Sequence, residues 1–285
     1  MRLENMNSDP LVLNRKRMIQ HAFDTVAKGY DHPSLAFFPE TATSMVEHLG
    51  LAETCHLLDV CAGTGVVSLC AARQLVQGKV MGIDLSSGML QQAQMKADEE
   101  GINNVMFKQM DLDHMDFPQH NFDAATCSFG LFFLEDMQPG LQNIADAVKP
   151  GGKIAISTFA EGAFEPMSSL FLERYESFGK EAPPPSWKRL ASEEALTRIF
   201  RSVGIETVDI YQEKLGCQLS SPQNWWDVVW NAGYRGFLNQ LSELEQIAFK
   251  QQHMNEIREL CAEENVWLDT SVFIAIGTKL EDGKI

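Results

Sequence analysis

Residues 57–69 read LLDVCAGTGVVSL, and this stretch decides the fold. An apolar run is followed by a loop of small residues, and apolar residues then return at helical spacing. A strand that passes through such a loop into a helix leaves free backbone N–H groups at the helix start, where a nucleotide-like ligand can approach closely. The stretch therefore predicts the first strand, loop and helix of an α/β protein.

Short strands and helices continue to alternate on the carboxyl-terminal side of this stretch. Apolar runs with strand composition recur between amphipathic segments, a pattern typical of a doubly wound, mostly parallel sheet. Ser87 is predicted to cap the helix after the second strand. The predicted strands of this region are 56–61, 79–84, 104–109, 122–129 and 152–159.

Helical patterns flank this region on both sides. A helix is predicted over 13–32, ending near Gly29, because a glycine commonly ends a helix and Pro33 follows. Composition changes after residue 160, where the alternation is less regular. The remaining predictions are helices over 192–204, 221–230 and 242–265, a strand over 205–211 and a single final strand over 266–279.

The composition excludes several classes of protein. Among 285 residues, 39 are acidic and 23 are basic, and the net charge of -16 repels polyphosphate, so nucleic acid is not an expected partner. The polar start MRLENMNSDP does not resemble a signal peptide, and no apolar run approaches the roughly 20 residues of a membrane span. We expect a cytoplasmic protein without stable membrane insertion, and the sequence is compatible with a homodimer. The six cysteines form no CxxC pair and predict no metal site.

The acidic residues at the strand ends leave two cofactor classes open. Asp84 follows Gly63 by 21 residues, where a carboxylate can accept hydrogen bonds from ribose hydroxyls in either class. A dinucleotide fingerprint expects a third glycine where Ser68 stands, and Asp59 would repel a pyrophosphate. Asp111, after the third strand, could instead accept a hydrogen bond from an adenine amine. A nicotinamide-dependent oxidoreductase is weakened but stays an alternative, as does a non-catalytic nucleoside-binding protein.

Five motifs follow one another along the chain. They are DVCAGTG (59–65), GIDLS (82–86), QMDLD (109–113), FDAATCSFGLFFLED (122–136) and VKPGGKIAIST (148–158), with FDTVAKGYD (23–31) ahead of them. This ordered set resembles the class I S-adenosylmethionine-dependent methyltransferases. Within that family the chain looks most like the ubiquinone/menaquinone biosynthesis methyltransferase type, and the resemblance covers roughly residues 20–160. It implies a Rossmann-like methyltransferase fold, with a seven-stranded sheet whose last strand is antiparallel, helical lid insertions and S-adenosylmethionine as cofactor.

The same resemblance implies roles for single residues. Gly63 and Gly65 would pass close to the methionine part of the cofactor, and Asp84 would hold its ribose. Tyr30 would help to close the lid and is the candidate catalytic residue. The implied cofactor-binding set is Tyr30, Asp59, Ala62, Gly63, Thr64, Gly65, Asp84, Leu85, Met89, Asp111, Leu112, Ser128 and Phe129.

Three regions are predicted along the chain. Residues 1–50 would form an N-terminal helical lid, residues 51–160 the S-adenosylmethionine-binding core, and residues 161–285 the rest of the sheet with a helical acceptor-binding insertion. The long insertion departs from the compact quinone enzymes, so C-methylation of a quinone precursor is kept as the alternative to another small acceptor.

Aromatic residues suggest the chemistry of this acceptor. They occur after the fourth strand and in the later helices, and they favour a flat or apolar small molecule of phenolic, quinol or polyketide-like type. The candidate acceptor-binding residues are Phe133, Trp226 and Trp230. For a general base, the candidates besides Tyr30 are His21, His32, His114 and His120.

Overall fold

A seven-stranded sheet forms the centre of the computed structural model, which describes residues 10–263 and 266–281. The strands are β1 (His56–Val60), β2 (Lys79–Asp84), β3 (Val105–Gln109), β4 (Phe122–Ser128), β5 (Val148–Phe159), β6 (Val208–Glu213), β7 (Gly216–Gln218), β8 (Trp267–Asp269) and β9 (Val272–Thr278). Strands β1 to β6 and β9 form the central sheet in the order β3-β2-β1-β4-β5-β9-β6, and β7 pairs with β8 in a separate two-stranded sheet.

The first five strands run parallel, whereas the last strand reverses direction. β9 inserts between β5 and β6 and is antiparallel to both, with Ala275 opposite Ile156 on one side and Ile210 on the other. This arrangement confirms the predicted seven-stranded, mostly parallel sheet with an antiparallel last strand.

Helices cover both faces of the sheet, which explains why its strands are apolar on both sides. Along β1, Leu57 packs in a cluster that includes Val46 and Leu69, whereas Leu58 and Val60 belong to the cluster on the other face. The helices are α1 (Pro10–Val26), α2 (Phe37–Leu49), α3 (Val66–Gln74), α4 (Ser87–Glu100), α5 (Met137–Ala147), α6 (Met167–Ser177), α7 (Glu193–Arg201), α8 (Pro222–Asn231), α9 (Arg235–Leu238) and α10 (Glu243–Glu263).

Several predicted boundaries were wrong. The single final strand over 266–279 is two strands in different sheets, because the Asp269 side chain accepts a 2.7 Å hydrogen bond from the N–H of Ser271 and turns the chain between them. The cap of α4 is Ser86, whose hydroxyl accepts a hydrogen bond from the N–H of Met89, and Ser87 is the first helical residue. The predicted helix 13–32 ends at Val26 and continues as one 3-10 turn.

Other elements were shifted or missed. β5 begins at Val148 rather than at residue 152, because Val148 already pairs with Phe122 before a register shift. β6 spans 208–213 rather than 205–211, and neither α6 nor the short β7 was predicted.

One apolar cluster contains residues from all three predicted regions, including Phe37, Leu58 and Trp225. The division into a lid, a core and an acceptor-binding insertion stays a prediction. Among the described residues, no helix combines the length and the apolar character needed to cross a bilayer.

Candidate active site

A cavity of about 510 Å³ lies at the carboxyl ends of β1, β2 and β4. The chain reverses its direction of winding between β1 and β4, and ligands of open α/β sheets bind at such switch points. Loops after the first four strands form the floor and sides, and α1 crosses the cavity opposite the sheet.

Most of the predicted site residues meet in this cavity. Gly65, Trp226 and Trp230 are the predicted residues that do not line it. The lining includes the predicted residues Tyr30, Asp59, Ala62, Gly63, Thr64, Asp84, Leu85, Met89, Asp111, Leu112, Ser128, Phe129 and Phe133.

The two glycines of the loop after β1 serve different purposes. Gly63 has a φ of +55°, and nothing lies within 4 Å of the position that a Cβ would take, so a ligand can approach the backbone there. Gly65 has a φ of +80°, and a Cβ would lie 2.8 Å from the Cβ of Ala93 and 3.0 Å from the ring of Phe107. Gly65 therefore allows the loop to pack against α4 and β3, and it lies behind the cavity.

Asp84 joins the loop after β1 to the end of β2. Its Oδ2 accepts a 2.9 Å hydrogen bond from the N–H of Gly63, and its Oδ1 accepts a 2.8 Å bond from the N–H of Ser86. Burial raises the pKa of this carboxyl, while the backbone hydrogen bonds lower it. Each oxygen keeps a further lone pair, so the carboxylate can still accept bonds from a ligand diol.

Asp59 is buried at the cavity floor and is held by two hydroxyl groups. Ser68 Oγ donates to Oδ2 over 2.5 Å, and Thr126 Oγ1 donates to Oδ1 over 2.8 Å. Burial raises the pKa of Asp59 to about 6, against the opposing effect of these hydrogen bonds. Ser68 stands where a dinucleotide fingerprint has its third glycine, and here its hydroxyl donates a hydrogen bond to Asp59.

Asp111 is engaged by a cation that the sequence did not suggest. Lys16 Nζ of α1 lies 2.7 Å from Oδ2 of Asp111 and 2.5 Å from Oδ2 of Asp113. Asp111 Oδ1 accepts a 3.0 Å hydrogen bond from the N–H of Asp113, and Asp111 thereby caps the 3-10 turn Leu112–His114. Arg15, one residue earlier on α1, pairs with Glu135 on the opposite side of the cavity.

Aromatic side chains form the side of the cavity next to α1 and α2. The ring of Tyr30 stacks on Phe38 with centroids 4.9 Å apart, and Phe38 meets Phe129 edge to face at 5.2 Å. Phe23 of α1 contacts Tyr30 and Phe133 in the same way. Burial raises the pKa of the Tyr30 phenol, with Asp84 and Asp31 adding to the shift, so Tyr30 is neutral near pH 7 and can donate a hydrogen bond but is a weak base.

Trp226 and Trp230 lie on α8, away from the cavity. Trp226 is buried, and its ring centroid lies 6.5 Å from the ring centroid of Phe249. Lys250 Nζ lies 5.0 Å from the Trp226 ring centroid. Trp230 is 43% exposed, and the guanidinium of Arg235 lies 3.4 Å from its ring centroid. Trp226 therefore packs α8 against the rest of the chain and does not line the cavity.

A helical lid over 1–50 was predicted, but the side chains of α1 that line the cavity were not. No histidine among the described residues lines the cavity, so none of the candidate histidines is placed as a base. The heptad-like spacing within 12–23, which puts apolar and polar side chains on one helical face, was the available signal. The lining residues from α1 are Val12, Arg15, Lys16, Ile19, Gln20 and Phe23.

Comparisons with known proteins agree with this geometry. A family profile described as a methyltransferase domain matches residues 57–152. An aklanonic acid methyltransferase, DauC of Streptomyces sp. (strain C5), is 30% identical over 205 residues, which are 71% of this chain and 91% of that protein. The ubiquinone/menaquinone biosynthesis C-methyltransferase UbiE of Escherichia coli O1:K1 / APEC is 26% identical over 222 residues, 70% of this chain and 87% of that one.

Solved structures share the fold at lower identity. The YcgJ protein of Bacillus subtilis superposes with a TM-score of 0.59 at 19% identity, over 85% of this chain and 99% of that chain. Phosphoethanolamine N-methyltransferase 2 of Haemonchus contortus, in complex with S-adenosylhomocysteine, gives a TM-score of 0.53 at 16% identity over 85% of this chain and 53% of that chain. The chain therefore belongs to the class I S-adenosylmethionine-dependent methyltransferases.

Proposed function

We propose that this methyltransferase transfers the methyl group of S-adenosylmethionine to a flat, largely apolar small molecule of phenolic, quinol or polyketide-like chemistry. The observation that supports this acceptor class is the aromatic side of the cavity, which is formed by Phe23, Tyr30, Phe38, Phe129 and Phe133. A cavity of about 510 Å³ is of the size that holds small molecules.

The residues at the acidic end fit the family cofactor. The open backbone at Gly63 would accommodate the methionine part, and the free lone pairs of Asp84 would accept bonds from the ribose hydroxyls. Asp59 would place a negative charge near an ammonium and a sulfonium, which favours binding. When bound, the cofactor supplies an electrophilic methyl group on a sulfonium.

The chain's own residues then orient the acceptor and exclude water. The aromatic side would hold a planar ring in one orientation, which lowers the entropic cost of reaching the donor. Phe23 on α1, above the site, would limit access of water. Tyr30, kept neutral, would donate a hydrogen bond to an acceptor oxygen.

Among the described residues, no histidine lines the cavity to remove a proton from an aliphatic alcohol. The carboxylates near the aromatic side are engaged, since Glu135 pairs with Arg15 and Asp136 accepts a hydrogen bond from the N–H of Gln138. A phenol or an enol is far more acidic than an aliphatic alcohol and therefore depends less on such a base. This supports acidic phenols and enols of the polyketide type over alcohols.

Methyl transfer from labelled S-adenosylmethionine tests the proposal. We expect labelling of hydroxynaphthalenes, hydroxyanthraquinones or quinols, and roughly 100-fold slower labelling of a benzylic alcohol of matched shape, the usual cost of a missing general base. Labelling of the alcohol at the phenol rate, or of amines alone, would contradict the proposed acceptor class.

C-methylation of a quinone precursor is a second candidate. It is favoured by the similarity to the E. coli enzyme whose name states C-methylation. Mass spectrometry of the labelled product separates the two candidates, because a methyl group on carbon survives treatment that removes one from a phenolic oxygen.

A further inference from the structure

The segment 16–31, which we call the N-terminal strap, makes polar contacts with three of the four loops that carry predicted cofactor residues, namely those after β1, β2 and β3. Its first contact is at the loop after β3, where Lys16 bridges Asp111 and Asp113 at 2.7 and 2.5 Å. The three side chains are 18%, 24% and 20% exposed, so solvent screens this ion pair less than it screens a surface pair.

The second contact is at the loop after β2. Oδ1 of Asp24 accepts a 2.5 Å hydrogen bond from Ser86 Oγ and a 2.9 Å bond from the N–H of Gly88. A Cβ on Gly88 would lie 3.3 Å from the Cα of Asp24, so the glycine allows the strap to approach closely. Ser86 is buried, lines the cavity and follows Asp84 by two residues.

The third contact is at the loop after β1. Oδ1 of Asp31 accepts a 2.8 Å hydrogen bond from Thr64 Oγ1, and its Oδ2 lies 2.8 Å from Lys96 Nζ on α4. Thr64 is buried next to Gly63, whose N–H binds Asp84. Asp31 directly follows Tyr30 in the chain. Through its bond to Thr64, Asp31 therefore connects the aromatic side of the cavity to the glycine loop.

We infer that Lys16, Asp24 and Asp31 are positioning residues, which hold the three cofactor loops in place through Asp111, Ser86 and Thr64 and couple closure of the strap to cofactor binding. Lifting the strap removes one polar contact from each loop at once and takes Phe23 and Tyr30 off the cavity. The inference rests on the family cofactor and not on the identity of the acceptor.

The coupling works in both directions. If strap contacts raise the affinity for S-adenosylhomocysteine by some factor, the bound ligand stabilises the closed strap by the same factor. Cutting a contact therefore weakens binding, and binding slows amide hydrogen exchange within residues 10–32. A contact that serves only the overall stability of the fold would lower the melting temperature without changing the affinity of the folded protein.

Calorimetric titration with S-adenosylhomocysteine tests the three contacts separately. We expect Lys16→Met, Asp24→Ala and Asp31→Ala each to weaken binding about tenfold, a common size for coupling between two events. Arg17→Met is the matched control for Lys16→Met, because it removes the same charge from an exposed position of α1 outside the cavity. It should bind as the wild type does.

A double-mutant cycle tests the contact between Asp31 and Thr64 directly. Thr64→Val should weaken binding, Thr64→Ser should restore most of it, and the double variant Asp31→Ala/Thr64→Val should lose little more than the weaker of the two single variants. Hydrogen exchange within 10–32 should slow about tenfold on adding the ligand to wild type, and less in the variants.

Two results would overturn the inference. One is wild-type affinity in the folded variants of all three contacts. The other is fully additive losses in the cycle together with ligand-independent exchange of the strap. Neither measurement uses an acceptor, so a failed search for the acceptor leaves both results interpretable.

Discussion

The N–H of Gly63 donates a 2.9 Å hydrogen bond to Oδ2 of Asp84, which fixes the glycine loop against the carboxylate at the end of β2. Asp84→Ala should therefore remove a ligand-binding group and release the loop. We expect affinity for S-adenosylmethionine to fall by about 10- to 100-fold, the usual value of one charged hydrogen bond. Calorimetry checks this, with Glu99→Ala, an exposed acid on α4, as control. Equal affinities of the two variants would refute the assignment.

The two loop glycines should respond differently to the same substitution. In Gly65→Ala the new Cβ would lie 2.8 Å from Ala93 at a φ of +80°, so we expect a loss of roughly 2–4 kcal/mol in the free energy of unfolding. In Gly63→Ala nothing is within 4 Å, so stability should fall by only about 1 kcal/mol, from the positive φ.

The loss of cofactor affinity should be larger in Gly63→Ala than in Gly65→Ala, which is the reverse of the order for stability. The methyl group in Gly63→Ala would point into space that the ligand needs, whereas Gly65 does not line the cavity. Urea unfolding and calorimetry on both variants measure the two effects. A larger loss of stability in Gly63→Ala than in Gly65→Ala would contradict this division of roles.

Asp59 should make stability depend on pH in an unusual direction. Burial raises its pKa from 3.8 to about 6, so the folded protein binds a proton that the unfolded chain has lost. The stabilising contribution is complete below pH 3.8 and is lost as pH rises to about 6, on the order of 3 kcal/mol in total. Asp59→Asn should remove this dependence. Urea unfolding of both proteins from pH 4 to 7 is the measurement, and parallel profiles would show that the pKa is not raised.

The sequence allowed the sheet to be predicted because its strands are local patterns. β2 matches its predicted range completely, and β1, β3 and β4 differ by one residue. Their order and the positions of Asp59 and Asp84 then follow from the family resemblance and the rule that loops at the carboxyl ends of parallel strands converge.

The contribution of α1 was not predictable in the same way. Lys16 and Asp111 are 95 residues apart, and nothing in either local pattern links them. The aromatic composition of α8 suggested acceptor binding by Trp226 and Trp230, but composition does not show what these side chains contact in the fold. The boundary of β9 was missed because the polar residues Asp269, Thr270 and Ser271 interrupt the apolar pattern only briefly between two apolar runs.

A buried hydrogen bond in the C-terminal insertion should contribute strongly to stability. Trp225 Nε1 donates to Nε2 of the fully buried His253 over 2.8 Å. Trp225→Phe would leave Nε2 of His253 without its hydrogen-bond donor. We expect this to lower the free energy of unfolding by about 1–3 kcal/mol, in addition to the effect of the smaller ring. Trp226→Phe, the same change on the next residue of α8, is the control for ring area. Thermal unfolding measures the difference, and equal losses would mean that the hydrogen bond contributes nothing.

His253 should also make the insertion sensitive to acid. Burial lowers its pKa below 6.5, against the opposing effect of Glu256, so the unfolded chain binds the proton more readily than the folded protein. The contribution of His253 to stability is therefore present above pH 6.5 and is lost as pH falls below it. This slope is opposite to that of Asp59. His253→Gln should remove it, as urea unfolding between pH 5 and 7 would show, whereas an unchanged slope would mean that His253 does not titrate differently in the two states.

Phe133 and Trp230 should differ in their effect on the acceptor. Phe133 lines the cavity and packs edge to face on Phe23 with centroids 5.3 Å apart, whereas Trp230 lies outside it. Phe133→Ala should raise KM for a phenolic acceptor about tenfold, since the partly buried ring would lose its apolar contact with the bound acceptor. The affinity for S-adenosylhomocysteine should change little. Trp230→Ala should leave both unchanged. Steady-state kinetics with calorimetry on the two variants provides the comparison, and a larger KM effect in Trp230→Ala would move the acceptor site to α8.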